Sequence, residues 1–151
     1  MRKIYVGHAP KYWNRCQRLG RGFDSLDPLQ NFKIYWLMSD LLNKKCAPCE
    51  GGILPFDISE IHKYQKRVDD WDVKKNTKEI YFLEKNFIFK NFINSQNFIN
   101  KVSEISENEN HHPDISFGWG YAKIIITTHA IEGLSENDFI LAAKIDQIFN
   151  V

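Results

Sequence analysis

The chain predicts an α+β domain: a four-stranded antiparallel sheet with three helices packed on one face, in the order α-β-β-α-β-β-α. Three observations lead there. Apolar residues recur at helical spacing behind capping signals in three separate stretches. Between these stretches lie pairs of short runs rich in aromatic and β-branched residues, each pair joined by a turn signal. The strands come as hairpins and not as strand-helix-strand crossovers, which makes the sheet antiparallel and leaves one face for the helices.

Taken in order, Asp57-x-x-Glu60 is a capping-box start, and Ile58, Ile61, Tyr64 and Val68 recur at helical spacing, predicting a helix over 58–68. Trp71-Asp72-Val73 opens a short strand that runs to the turn signal Asn76-Thr77. Ile80 to Phe89 is aromatic and β-branched, with its alternation broken around Lys85-Asn86, and reads as the second strand. Residues 95–107 place Phe98, Ile99, Val102 and Ile105 on one helical face behind Asn94 or Ser95 as cap. Ile115 to Trp119 alternates as a strand, Gly118 and Gly120 loosen a turn, and Tyr121 to Thr128 forms the fourth strand. Ser135-x-x-Asp138 caps a last helix to about Phe149, with Phe139, Ala142, Ala143, Ile145 and Phe149 apolar. So small an open sheet has edge strands that a partner chain can cover, and a homodimer is the natural expectation.

At 151 residues the chain suits one domain with a real core. A hydrophobic fraction of 43% and an aromatic fraction of 14% exclude wholesale disorder. The net charge of +1 argues against nucleic acid or an anionic membrane as the main partner. No run of apolar residues approaches a membrane span, so the expected product is soluble and cytoplasmic. Cys16, Cys46 and Cys49 make an odd count without a disulfide framework and point to a reducing compartment. Cys46-Ala47-Pro48-Cys49 would need two more ligands to hold zinc, and His62 and Cys16 stand at no familiar spacing. A redox reading would need a preceding strand, so the pair is read as structural or incidental, ahead of metal or redox roles.

Up to Phe23 the chain carries six basic residues (Arg2, Lys3, Lys11, Arg15, Arg18, Arg21) and no acidic one. Residues 1–37 therefore read as an extension, and residues 38–151 as the domain. The extension could be a poorly ordered tail, an arginine-rich organelle-targeting leader, or a stretch upstream of a natural start at Met38. The third is favoured and the leader comes next.

The most informative stretch is 107–138: Glu107, His111-His112-Pro113-Asp114, Trp119, Thr128-His129 and Asp138. It holds three of the chain's five histidines, the side chain that exchanges protons near neutral pH. Pro113 disfavours the helical conformation at His112, so the second helix should end before the histidine pair. Glu107 lies four residues ahead of His111 and can reach that imidazole if the last turn persists. Antiparallel pairing brings the end of the fourth strand beside the start of the third, so all three histidines can share one rim. Trp119 sits at the other end, near the turn. Met singly, each of these residues would more often be structural; the joint spacing is what points to acid–base chemistry.

That spacing resembles the pterin-4a-carbinolamine dehydratase family: an acidic residue, His-His-Pro, an aromatic, a further His and an Asp, read here as Glu107, His111-His112-Pro113, Trp119, His129 and Asp138. Gly133-Leu134-Ser135, Leu141-Ala142-Ala143-Lys144-Ile145-Asp146 and Cys46-Ala47-Pro48-Cys49-Glu50-Gly51-Gly52 extend the likeness over about residues 38–151. Ser135 stands where Thr is common in the family, and both can cap a helix. The resemblance implies the same fold, paired into dimers that can stack as tetramers. It implies a hydro-lyase that removes water from 4a-hydroxytetrahydrobiopterin to give quinonoid dihydropterin, in tetrahydrobiopterin recycling, with no metal or organic cofactor. By that resemblance His111, His112 and His129 are the catalytic set, with His112 as acid and His111 or His129 as base. Glu107 would orient His111, Asp138 would bond His129 or the pterin amino edge, and Pro113, Thr128 and Ala130 would line the pterin pocket. Two rivals stand beside it. One is a dimerisation or transcriptional co-regulator module, which the resemblance also admits. The other is a metal hydrolase using the three histidines and Asp138, which is awkward because adjacent histidines on extended chain point to opposite sides.

Overall fold

A computed structural model describes residues 40–47 and 54–150. The expected extension and Cys49 lie outside the described residues. Among the described residues seven principal elements follow in the predicted order: α1 (Ile58–Gln65), β1 (Asp72–Lys75), β2 (Tyr81–Ile88), α2 (Phe92–Glu109), β3 (Asp114–Gly118), β4 (Tyr121–Ile126) and α3 (Glu136–Asn150). A short 3-10 turn, His129–Ile131, stands between β4 and α3. The sheet runs β1-β2-β4-β3 with every pairing antiparallel, so the two hairpins meet at the β2–β4 seam. This is the α+β architecture expected from the sequence.

Side chains alternate across the sheet. Leu83, Phe87, Ala122, Ile124 and Ile126 turn toward the helices and are fully or almost fully buried, joined by Phe98 and Val102 of α2 and by Phe139, Leu141 and Ile145 of α3. Leu41, from a helical turn at 40–42, is buried in the same core. Among the described residues no helix is long and apolar enough to cross a membrane.

Several boundaries differ from expectation, each for a local reason. The first helix keeps its capping box, with Asp57 Oδ1 accepting from the Glu60 N–H at 2.8 Å, but stops at Gln65; Val68 lies beyond the cap and still reaches the core. The second helix starts three residues earlier than predicted, because Asn91, and neither Asn94 nor Ser95, is its cap: Asn91 Oδ1 accepts from the Asn94 N–H at 2.9 Å. Ser95 is fully buried and gives its hydroxyl to the Gly118 carbonyl at 2.8 Å, tying the helix start to the end of β3. The fourth strand ends at Ile126, two residues early, because Thr128 leaves the ladder and bridges Gly133. Gly120 closes the β3–β4 turn at φ +78, and a Cβ there would lie 3.2 Å from the Phe89 carbonyl oxygen.

The broken alternation at Lys85 is a charge on the buried face. Lys85 pairs with Ile124 on the helix side of the sheet, and its ammonium meets Asp146 Oδ1 of α3 at 2.8 Å and the Asp69 carbonyl. The Trp71 indole N–H and the Asp69 N–H also donate to that carboxylate. A buried lysine is tolerated when it is paired and hydrogen-bonded in this way.

Candidate active site

The site begins where α2 stops. Asn110 takes the left-handed conformation (φ 50, ψ 39), a shape asparagine adopts more readily than most residues, and its N–H returns to the Ser106 and Glu107 carbonyls. The His111 N–H then closes onto Ser106 at 3.1 Å, and the chain leaves the helix extended. Successive side chains of extended backbone point opposite ways. His111 goes inward and is 5% exposed, whereas His112 faces solvent.

His111 Nε2 lies 3.0 Å from Asp138 Oδ1. Asp138 sits in the first turn of α3 and is fully buried. Its other oxygen accepts from the Thr128 hydroxyl at 2.8 Å, the Ser135 N–H at 2.7 Å and the Ser135 hydroxyl at 3.2 Å. A carboxylate only accepts, so the imidazole N–H is the donor in the dyad, and the helix N-terminus adds a favourable field for the anion. On the solvent side His112 Nε2 meets Glu107 Oε1 at 3.0 Å. His129 opens the 3-10 turn, exposed, with no side-chain hydrogen bond among the described residues.

These pairings correct two expectations. Glu107 holds His112 and not His111, because the left-handed Asn110 ends the helical register that would have stacked residues 107 and 111. Asp138 holds His111 and not His129, because the start of α3 lies beneath the end of α2 while His129 rides outside on its turn. Thr128 contributes from below: its side chain is buried and braces Asp138.

One cleft of about 260 Å³ gathers the constellation. Asn110, His111 and His112 form one wall, and Thr127, Thr128, His129 and Ala130 the other. All three histidines are thus brought together, and Thr128 and Ala130 line the same cleft. Pro113 is not on either wall, and Trp119 is 73% exposed in the turn at the opposite end of the hairpin. Asn110 and Thr127 were not foreseen. The signal for the first was an asparagine directly before the histidine pair, at the place where a helix had to stop. Among the described residues no group of three or more His, Cys, Asp or Glu side chains could hold a metal ion. Cys46 is docked next to the site: its N–H donates to Glu109 at 2.8 Å, and Asn137 clasps the Ala47 peptide through both of its amide atoms.

Fold and site together define an α+β domain with an imidazole-lined cleft at one end of its sheet, braced by a buried carboxylate and equipped for proton transfer. Residues 55–148 match the family model for pterin 4 alpha carbinolamine dehydratase, and the chain belongs to that family. A protein of Halorhodospira halophila, provisionally named a pterin-4-alpha-carbinolamine dehydratase, is 46% identical over 108 residues, covering 72% of this chain and 96% of that one. A protein of Rubrobacter xylanophilus with the same provisional name is 42% identical over 111 residues, covering 74% of this chain and all of that one. The crystal structure of a transcriptional coactivator/pterin dehydratase from Brucella melitensis superposes with a TM-score of 0.57 over 62% of this chain and 97% of that chain. At 23% identity that likeness establishes the fold.

Proposed function

We propose that the protein is a 4a-hydroxytetrahydropterin dehydratase working by histidine acid–base catalysis, acting on 4a-hydroxytetrahydrobiopterin in cofactor recycling. The observation that carries this reading is the meeting of His111, His112 and His129 around one small cleft. The reaction asks for what such a cleft supplies. The C4a hydroxyl leaves as water only if it is protonated as its bond breaks. The electron pair comes from the adjacent ring nitrogen, N5, whose own proton must be removed as the C4a–N5 double bond forms. The product is quinonoid dihydropterin plus water, with one proton given and one taken.

His112, exposed and held by Glu107, is assigned as the acid that protonates the departing hydroxyl. His129, on the facing wall, or His111 takes the N5 proton. Asp138 keeps His111 in one orientation, so that side of the cleft is organised before substrate arrives. Each general acid or base step is typically worth about 100- to 10,000-fold.

Stopped-flow absorbance of chemically generated carbinolamine tests the assignment. His112→Ala and His129→Ala are each expected to slow dehydration by about 100-fold or more while the circular dichroism spectrum stays native. Rates near wild type in both variants would defeat it. The proposal includes a homodimer, in which a partner chain covers an exposed sheet edge. The Brucella protein's name also carries a coactivator role. A pulldown from native extract separates a co-regulator from an enzyme that recovers only its own chain.

A further inference from the structure

A second, larger cavity of about 440 Å³ lies on the helix-free face of the sheet and shares Thr127 and His129 with the histidine cleft. Its apolar part is Ile80, Phe82 of β2 and Ile125 of β4, all half-buried. Its charged groups are Lys78, Asp114 and Glu132, all exposed and none in an ion pair among the described residues, beside the polar Asn76 and Thr77. The Phe82 ring stacks against no other aromatic ring among the described residues, so one aromatic surface is left to the groove. We propose that this groove binds the C6 substituent of the pterin and prefers a neutral, polyhydroxylated chain of sugar size. This rests on the pterin reading of the cleft.

The geometry of the substrate connects the two cavities. C6 is bonded to N5, the nitrogen that loses its proton, so a C6 substituent leaves the ring beside the reacting edge. With N5 turned to His129, that substituent is directed past the residue the two cavities share. A three-carbon diol would fill only about a third of the groove, at the roughly 30 Å³ a water-sized atom claims in a liquid. The remaining volume suits a longer chain. Two carboxylates against one ammonium disfavour an acidic tail and accept hydrogen bonds from hydroxyls. The Phe82 face, next to Ile125, takes the C–H side of a hydroxylated ring. An aromatic platform flanked by acceptors is the chemistry that recognises a sugar-like group.

Affinity and turnover are read separately. Binding of unreactive oxidised pterins bearing methyl, dihydroxypropyl, glycosyl-extended or aminobenzoylglutamate substituents at C6 is followed by quenching of pterin fluorescence. The glycosyl-extended pterin is expected to bind about 10-fold more tightly than the methyl one, with the acidic substituent showing no such gain. Phe82→Leu, which keeps an apolar side chain in the sheet, and Asp114→Asn should each remove most of that gain while leaving affinity for the methyl pterin unchanged. In turnover the same gain should enter through KM and not kcat. Equal affinities across the series, or a gain that survives both substitutions, would overturn the proposal. Absence of turnover with every carbinolamine would instead count against the dehydratase reading, since the affinity series does not depend on reaction.

Discussion

The two carboxylates of the site do different work because one is buried and the other is wet. Asp138 has four donors around it and none of its surface in water, so on the proposed reading a change there disturbs packing and catalysis together. Asp138→Asn sets an amide NH2 against donors that now meet only oxygen. It is expected to cost about 2 kcal/mol in thermal denaturation and, by freeing His111, to slow dehydration by about 100-fold. The Glu107–His112 pair is solvent-exposed, and Glu107→Gln should change stability by less than about 1 kcal/mol. Its rate loss should also be smaller than that of Asp138→Asn. Equal rate losses in the two variants, measured side by side by stopped flow, would contradict this ranking.

Among the elements, α3 joins the candidate active site to the core. Its first turn presents Asp138 to His111, and two turns on it presents Asp146 to Lys85 of β2. Burial pushes the Asp146 carboxyl up to about 6, against the opposing pull of the Lys85 charge and of the donors around it. An unfolded chain binds that proton less tightly, with an ordinary value of about 3.9. The contribution of this proton to stability is therefore fully present below pH about 4 and is lost as pH rises through about 6. Asp146→Asn should remove that fall between about pH 4 and 6 in a series of urea denaturations, and at neutral pH should cost about 3 kcal/mol by leaving Lys85 buried without its counter-ion. An unchanged pH slope would show that the carboxyl titrates as an ordinary aspartate. The end of α2 matters equally. Lys144 of α3 reaches Glu109 at 2.6 Å, and Glu109 also receives the Cys46 N–H, so the chain at 44–47 binds together the two helix ends that carry His111 and Asp138.

At the scale of the whole domain, the sheet separates two environments. One face is closed by helices and holds the core. The other carries Glu84 between Lys74 at 2.6 Å and Lys123 at 2.8 Å, which hold its carboxyl below the usual range, Lys123 first. That charged cluster lies toward the middle of the face, and the groove beside His129 occupies one end of it. β1 and β3 are the sheet edges. A homodimer formed across an edge should appear as twice the chain mass in sedimentation equilibrium, and a monomer at all concentrations would reject edge pairing.

Element order and type were legible because each element announces itself locally: the Asp57–Glu60 box, the spacing of Phe98, Ile99, Val102 and Ile105, and the turn at Gly120 depend on neighbours a few residues away. The meeting of the three histidines at one cleft was legible too, since antiparallel pairing of β3 with β4 must bring His129 back toward His112. Which carboxylate holds which histidine was not. That depends on a single left-handed residue, Asn110, which decides the direction His111 takes, and on how closely α3 packs beneath the end of α2. Spacing along a chain sets which groups can meet, but only long-range packing selects the pair that does, because a buried carboxylate settles where the most donors converge.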